Sequence, residues 1–285
     1  MDKQIIQLYD DYTHKSLNRH TFLKRLALLA GSTTAALALL PMLENNYAVA
    51  QTRSDENGLF TERVSWKGVG GDMKGYLARP DKPGKYPAVI VVHENRGLNP
   101  HIEDVARRAA MAGFLALAPD ALSVLGGTPE NADEARELFA KLNNADNTTN
   151  FAAAVPYLRQ RADNNGNVGC VGFCWGGAMA NQLAVHVPSL KAAVPFYGRQ
   201  PEEADVPRIK AALQLHYAGL DERINAGIPA YEAALKKSGI AYELFNYKDV
   251  EHAFHNDTSG VRYNEAAAKL AWERTIDFLH KHLDA

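Results

Sequence analysis

From Glu62 onward, short β-rich runs alternate with longer helical ones, and this alternation constrains the chain more than any other feature. Parallel strands need crossovers long enough to hold a helix, so the pattern predicts an α/β fold: a mostly parallel central sheet with helices on both faces. The strand-like runs are Arg63 to Trp66, Met73 to Ala78, Ala88 to His93, Phe114 to Ala118, Val168 to Gly172, Ala192 to Phe196, Ala212 to Tyr217 and Tyr242 to Tyr247. The first two read as an antiparallel lead-in hairpin around Gly68 to Asp72. Helical patterns occupy Ile102 to Ala112, Asn131 to Leu142, Asn147 to Arg161, Trp175 to Val187, Pro229 to Ser238 and Asn264 to His282. No internal break is long enough to divide residues 51–285, which read as one domain.

The first fifty residues differ. Lys15, Arg19, Lys24 and Arg25 precede an apolar run from Leu26 to Leu43, and Ala48-Val-Ala50 supplies a small-x-small cleavage motif before Gln51. Residues 1–50 are therefore expected to be an export signal or an anchoring segment. RHTFLK, residues 19–24, is similar to the twin-arginine consensus, but His20 stands where the second arginine belongs. This degenerate signal gives the expectation of export to the periplasm, with a cytoplasmic location as the alternative. An uncleaved segment would instead pack on the domain as a helix or lie at a membrane surface. Gly31, Ser32, Thr33 and Thr34 interrupt the apolar run and argue against a single span.

A net charge of −2, with no basic block beyond Lys24-Arg25 and Arg107-Arg108, leaves no footprint for nucleic acid. The expected partner is a small molecule. Two cysteines, Cys170 and Cys174, are too few for a disulfide framework, and both are expected as free thiols.

Cys174 lies in GFCWGG, residues 172–177. The run VGCVGF before it is that of a strand buried on both faces, and AMANQLAVHV after it is helical, so the thiol falls at a strand-to-helix junction. Gly172, Gly176 and Gly177 remove side chains where strand and helix approach. That is the pattern of a nucleophile elbow, with cysteine in the place of the usual serine. A helix N-terminus also favours the thiolate. Cys170 reads as a small core residue.

A nucleophile on such an elbow is followed in the chain by an acid and then a histidine. Asp221 stands just past one strand and His252 just past the next. Glu222 and Asp205 are the rivals of the first, and His255 of the second. His93 and His216 fall inside strand patterns and read as core or supporting residues. The spacing of His252 and His255 lacks the further ligands of a metal site, so neither metal nor organic cofactor is expected.

GFCWGG, then LDERI, then EHAFHND together resemble the dienelactone hydrolase family, α/β-hydrolases with a nucleophilic cysteine. The resemblance runs from about Glu62 to the end. It implies a Cys174–His252–Asp221 triad and a glutamate after the third strand that governs the thiol, which VVHENRGLNP places at Glu94. It also implies an oxyanion hole from the backbone amides of Asn95 and Trp175. Trp175, Tyr197, Arg199 and Arg96 are candidate pocket residues. Family members that cleave dienelactones carry a serine and, four residues after the histidine, an arginine; here these positions are Ala253 and Asn256. Asn256 therefore joins the pocket candidates, without a charge to grip a substrate carboxylate. The implied reaction is cleavage of a lactone or small ester by acyl transfer. A thioesterase or peptidase on the same fold, or a thiol that senses oxidants, are the alternatives.

Overall fold

A computed structural model describes residues 1–15, 17–47, 50 and 58–284. Among the described residues the chain opens with α1 (Lys3–His14), α2 (Arg19–Ala30) and α3 (Thr33–Leu43). Then follow β1 (Leu59–Gly68), β2 (Gly71–Pro80), β3 (Tyr86–Val92), α4 (Pro100–Met111), β4 (Leu115–Asp120), α5 (Ala132–Phe139), α6 (Asn144–Ala152), α7 (Ala154–Arg159) and β5 (Asn164–Phe173). The chain continues through α8 (Trp175–His186), β6 (Ala192–Phe196), β7 (Ala212–Ala218), α9 (Glu222–Asn225), α10 (Ile228–Lys237), β8 (Tyr242–Tyr247) and α11 (Glu265–Leu283).

The strands form an 8-stranded sheet in the order β1-β2-β4-β3-β5-β6-β7-β8. β1 and β2 pair antiparallel with Gly68 opposite Gly71, β2 pairs antiparallel with β4, and every later pairing is parallel. The eight strand-like runs are all strands, and the lead-in hairpin turns where expected. Ala88 to Val92 and Val168 to Phe173 are buried throughout, as strands covered on both sides must be. One apolar cluster packs Leu183, Leu158 and Leu235 against one sheet face, and a second packs Val105, Phe278 and Leu279 against the other. The helical run expected over Asn147 to Arg161 begins at Asn144 and is divided at Ala153 into α6 and α7. Pro156, lacking an N–H, fits the first turn of the second piece.

The N-terminal segment packs on the domain. Gly31 ends α2 at φ +81°, and the Ser32 side chain accepts from Ala35 N to start α3, so the apolar run breaks into two helices bent by 110°. Among the described residues no single helix is long and apolar enough to cross a membrane. Tyr9, Tyr12, Phe22, Leu26 and Leu43 make a core of their own. Cross-links join it to the larger domain: Tyr12 Oη donates to Asp133 at 2.5 Å, Asn95 Nδ2 donates to Thr13 O at 2.7 Å, and Arg262 lies 4.9 Å over the Tyr9 ring. Of the expected cleavage motif, Ala48, Val49 and Gln51 lie outside the described residues.

Candidate active site

The turn between β5 and α8 holds Cys174 at φ 58°, ψ −114°, a left-handed conformation that costs a non-glycine residue on the order of 1–3 kcal/mol. Its neighbours show why the turn needs glycine. A β-carbon on Gly172 would lie 1.9 Å from Gly176 O, and one on Gly176 would lie 2.3 Å from Val92 O. A β-carbon on Gly177 would lie 2.4 Å from Phe196 O. The elbow is thus wedged against the ends of β3 and β6.

His252 and Asp221 follow β8 and β7 and meet at the same sheet edge. His252 Nδ1 lies 2.5 Å from Asp221 Oδ2, with both side chains buried. Asp221 also accepts from Ile224 N at 3.2 Å, capping α9, so its carboxylate is held from two sides. Asp205 instead lies 3.5 Å from Arg208 on the surface, and Glu222 is exposed. His255 is fully enclosed, stacked 4.8 Å from Phe173, and burial pushes its imidazole well below the ordinary range. It belongs to the core. His93 and His216 are core residues too, His93 stacking beneath Trp175 at 5.5 Å.

The sulfur has a neighbour that sequence reasoning missed. His14, the last residue of α1, places Nε2 3.2 Å from Cys174 Sγ. Its Nδ1 lies 3.0 Å from Asp10 Oδ1, one helical turn back. An Asp and a His four residues apart share a helix face, the one signal that could have paired them. Nothing in the sequence connects them with a thiol 160 positions away. Burial alone would push the Cys174 thiol up, but the charges of His14 and His252 outweigh it and bring it down to about 6. For His252 burial favours the neutral ring, and the thiolate and Asp221 overcome this, raising it to about 10. His14 is raised against burial by Cys174 and Asp10. Cys170, buried among apolar groups four residues earlier, is pushed up to about 12. Both cysteines are free thiols.

Glu94 lines a small cavity with Cys174 and His252, where its Oε2 accepts from Asn256 Nδ2 at 2.8 Å. Asn256, by contrast, is not a pocket residue. It is fully buried, and its Oδ1 accepts from Thr258 N and Oγ1 at 3.0 and 2.6 Å. Arg96 does not line the main cavity but the small one that it shares with Glu94, Cys174 and His252. Trp175, Tyr197 and Arg199 do line the main cavity, which measures about 1190 Å³ and opens over Cys174 and His252. Arg199 sits at the rim, 3.4 Å from Glu202. Thr13, His14 and Lys15 supply a wall from the N-terminal segment.

Chemically, the arrangement offers a thiolate at the head of a helix, an imidazolium beside it and a carboxylate orienting that ring. The ligand atoms of His14, Cys174 and His252 lie within 4.8 Å of one another, with the sulfur hydrogen-bonded to His14.

Comparisons with known proteins agree with the fold. The model of the dienelactone hydrolase family matches residues 73–283. A Methylorubrum extorquens protein named "Putative carboxymethylenebutenolidase" is 32% identical over 288 residues, covering 94% of this chain and 96% of its own length. "Putative hydrolase fragment YghX" of Escherichia coli is 53% identical over 107 residues, 36% of this chain and 92% of that one. A crystal structure titled "Putative Dienelactone Hydrolase", from Klebsiella pneumoniae, superimposes with a TM-score of 0.71 at 28% identity, covering 79% of this chain and 99% of that chain. The chain belongs to the dienelactone hydrolase family and is a hydrolase of ester or lactone bonds.

Proposed function

We propose that the enzyme cleaves a lactone or small carboxylic ester by acyl transfer to Cys174, with His252 as proton shuttle and Asp221 orienting it. The observation that carries this reading is the strained elbow at Cys174, whose sulfur shares a buried cluster with the His252–Asp221 pair. The thiolate attacks the carbonyl carbon, and the Trp175 and Asn95 amides hold the oxyanion. Collapse of the tetrahedral intermediate breaks the bond to the leaving oxygen.

Electrostatics gives the proton its direction. Among the influences that keep His252 charged against burial, the Cys174 thiolate is the largest. Forming the thioester removes that negative charge, so the imidazolium becomes more acidic as the leaving alkoxide needs a proton. The neutral ring then draws a proton from water, whose oxygen attacks the thioester and releases the acid and the thiolate.

The test is turnover of small aryl esters and lactones by the wild type and Cys174→Ala. Loss of turnover in a folded Cys174→Ala protein supports the reading, and undiminished hydrolysis refutes it.

A further inference from the structure

His14 Nε2 hydrogen-bonds Cys174 Sγ at 3.2 Å, a contact that His252 Nε2 does not make. Each ring sets Nδ1 beside a carboxylate, 3.0 Å from Asp10 Oδ1 and 2.5 Å from Asp221 Oδ2, and His14 Nδ1 also meets Asp10 O at 3.0 Å and Thr13 Oγ1 at 2.9 Å. The two rings meet edge to face with centroids 4.6 Å apart and planes at 78°. Asp10 is itself braced, since Arg223 Nε of α9 lies 3.7 Å from its Oδ2. The N-terminal helices therefore deliver a histidine, with Asp10 beside it, to the sulfur.

The segment that carries His14 is fixed on both sides of it. Tyr12 O accepts from Arg136 Nη1 at 3.2 Å, and the Tyr12 ring stacks on Phe22 of α2 at 4.4 Å. Thr13 O accepts from the side chain of Asn95, the residue whose amide is proposed for the oxyanion hole. Farther along, Asn46 N donates to Thr258 O at 2.8 Å, and a β-carbon on Gly260 would lie 2.2 Å from Met42 O. Such close backbone fits belong to a docked part of the fold.

We infer that His14 is a second catalytic histidine, donating from Nε2 to the Cys174 thiolate, and that the N-terminal segment bearing it is a working part of the mature enzyme and not a discarded leader. The inference rests on the reading of Cys174 as nucleophile and adds the group that holds it ionised at rest. A carboxylate at the sulfur would oppose ionisation, whereas an imidazolium favours it. The charged and titratable groups facing His14 are Asp10 on its own helix, Cys174 on the elbow, Arg223 on α9 through Asp10, and His252 on the loop after β8. Glu251, next to His252, faces Asp10 as well.

The test uses the full chain. Iodoacetamide alkylation of Cys174 is followed by mass spectrometry between pH 5 and 10 in the wild type, His14→Gln and, as a control, His20→Gln on the exposed side of α2. Aryl-ester hydrolysis is measured across the same range. Wild type and His20→Gln should alkylate with a midpoint near 6, while His14→Gln moves upward by about one pH unit or more. For a one-unit shift its kcat/KM should fall about threefold at pH 6.5, more for a larger shift, and recover at pH 9, a pattern that a packing defect would not give. An unmoved midpoint in folded His14→Gln overturns the inference. Alkylation reports on the contact whether or not Cys174 turns substrate over. A shifted midpoint together with active Cys174→Ala would therefore refute the proposed mechanism and leave the His14 contact standing.

Should His14→Gln fail to fold, nitrogen-15 NMR of the wild-type imidazoles decides the matter. Capping the sulfur with iodoacetamide removes its charge, so the His14 titration should move to lower pH, and an unmoved titration overturns the inference. Mass spectrometry of the protein purified from its own cells should find residues 1–15 still attached. A mature chain beginning at Gln51 overturns the role assigned to the segment.

Discussion

Gly172 and Gly176 approach so closely that a β-carbon on the first would lie 1.9 Å from the carbonyl oxygen of the second. Backbone on backbone cannot be relieved by a rotamer change. Gly172→Ala should therefore lower the unfolding free energy by about 3 kcal/mol or more and slow Cys174 alkylation, because the turn must open to admit the methyl group. Urea denaturation and iodoacetamide kinetics read the two effects separately.

His252 and His255 should separate by kind of damage. His252→Ala should reduce kcat by roughly a thousandfold or more with little change in melting temperature, since its ring serves the chemistry. His255→Ala removes a ring stacked on Phe173 and should cost about 2–4 kcal/mol of stability while the folded fraction keeps most of its turnover. Steady-state kinetics beside thermal melts would check the pair, and reversed effects would mean that His255 is the proton carrier.

Asp221→Asn keeps the shape of the acid and loses its charge. Because Asp221 Oδ2 sits 2.5 Å from His252 Nδ1, the amide can support the wrong tautomer, and kcat should fall by roughly 100-fold to 10⁴-fold. The pH at which Cys174 alkylates should also rise, since an unsupported His252 holds its proton less well. Both measurements use the same purified variant.

The pH dependence of hydrolysis should be bell-shaped. The thiol is lowered, so the thiolate is present above its folded midpoint and is lost as pH falls through about 6. The imidazole is raised, so the imidazolium is present at lower pH and is lost as pH rises through about 10. Activity should therefore be greatest between these values and decline on both sides, as a profile of kcat/KM against pH would show. A profile flat down to pH 4 would contradict the assignment of the acidic limb to Cys174.

Glu94 and Asn256 should behave as a structural couple. Asn256→Ala takes the Nδ2 donor from a buried carboxylate and should cost about 1.5–3 kcal/mol of stability. Glu94→Gln should shift the alkylation midpoint less than His14→Gln does, because the carboxylate is engaged with Asn256. Equal shifts would return Glu94 to the role first expected of it.

The sheet, the elbow, Asp221 and His252 were legible because each is encoded locally: buried β-branched runs, a glycine cluster around the turn, and polar residues just past strand ends. Glu94 was located, but its bond to Asn256 was not foreseen, since which side chain meets which beside the sulfur depends on packing between distant segments. His14 was illegible for the same reason. Its segment carries basic residues, an apolar stretch and small residues, a composition shared by export signals and by amphipathic helices that dock on their own domain. The tertiary contacts of Tyr12, Thr13 and His14 are what the inferred role of the segment rests on.

Cys170 and Cys174 stand four residues apart on one strand and its turn, yet one is pushed up to about 12 and the other brought down to about 6. At neutral pH only the second is ionised to any extent. The chain thus carries a natural one-site handle: a dilute maleimide dye or spin label should attach once per molecule without any engineered cysteine, and should report directly on the mouth of the cavity.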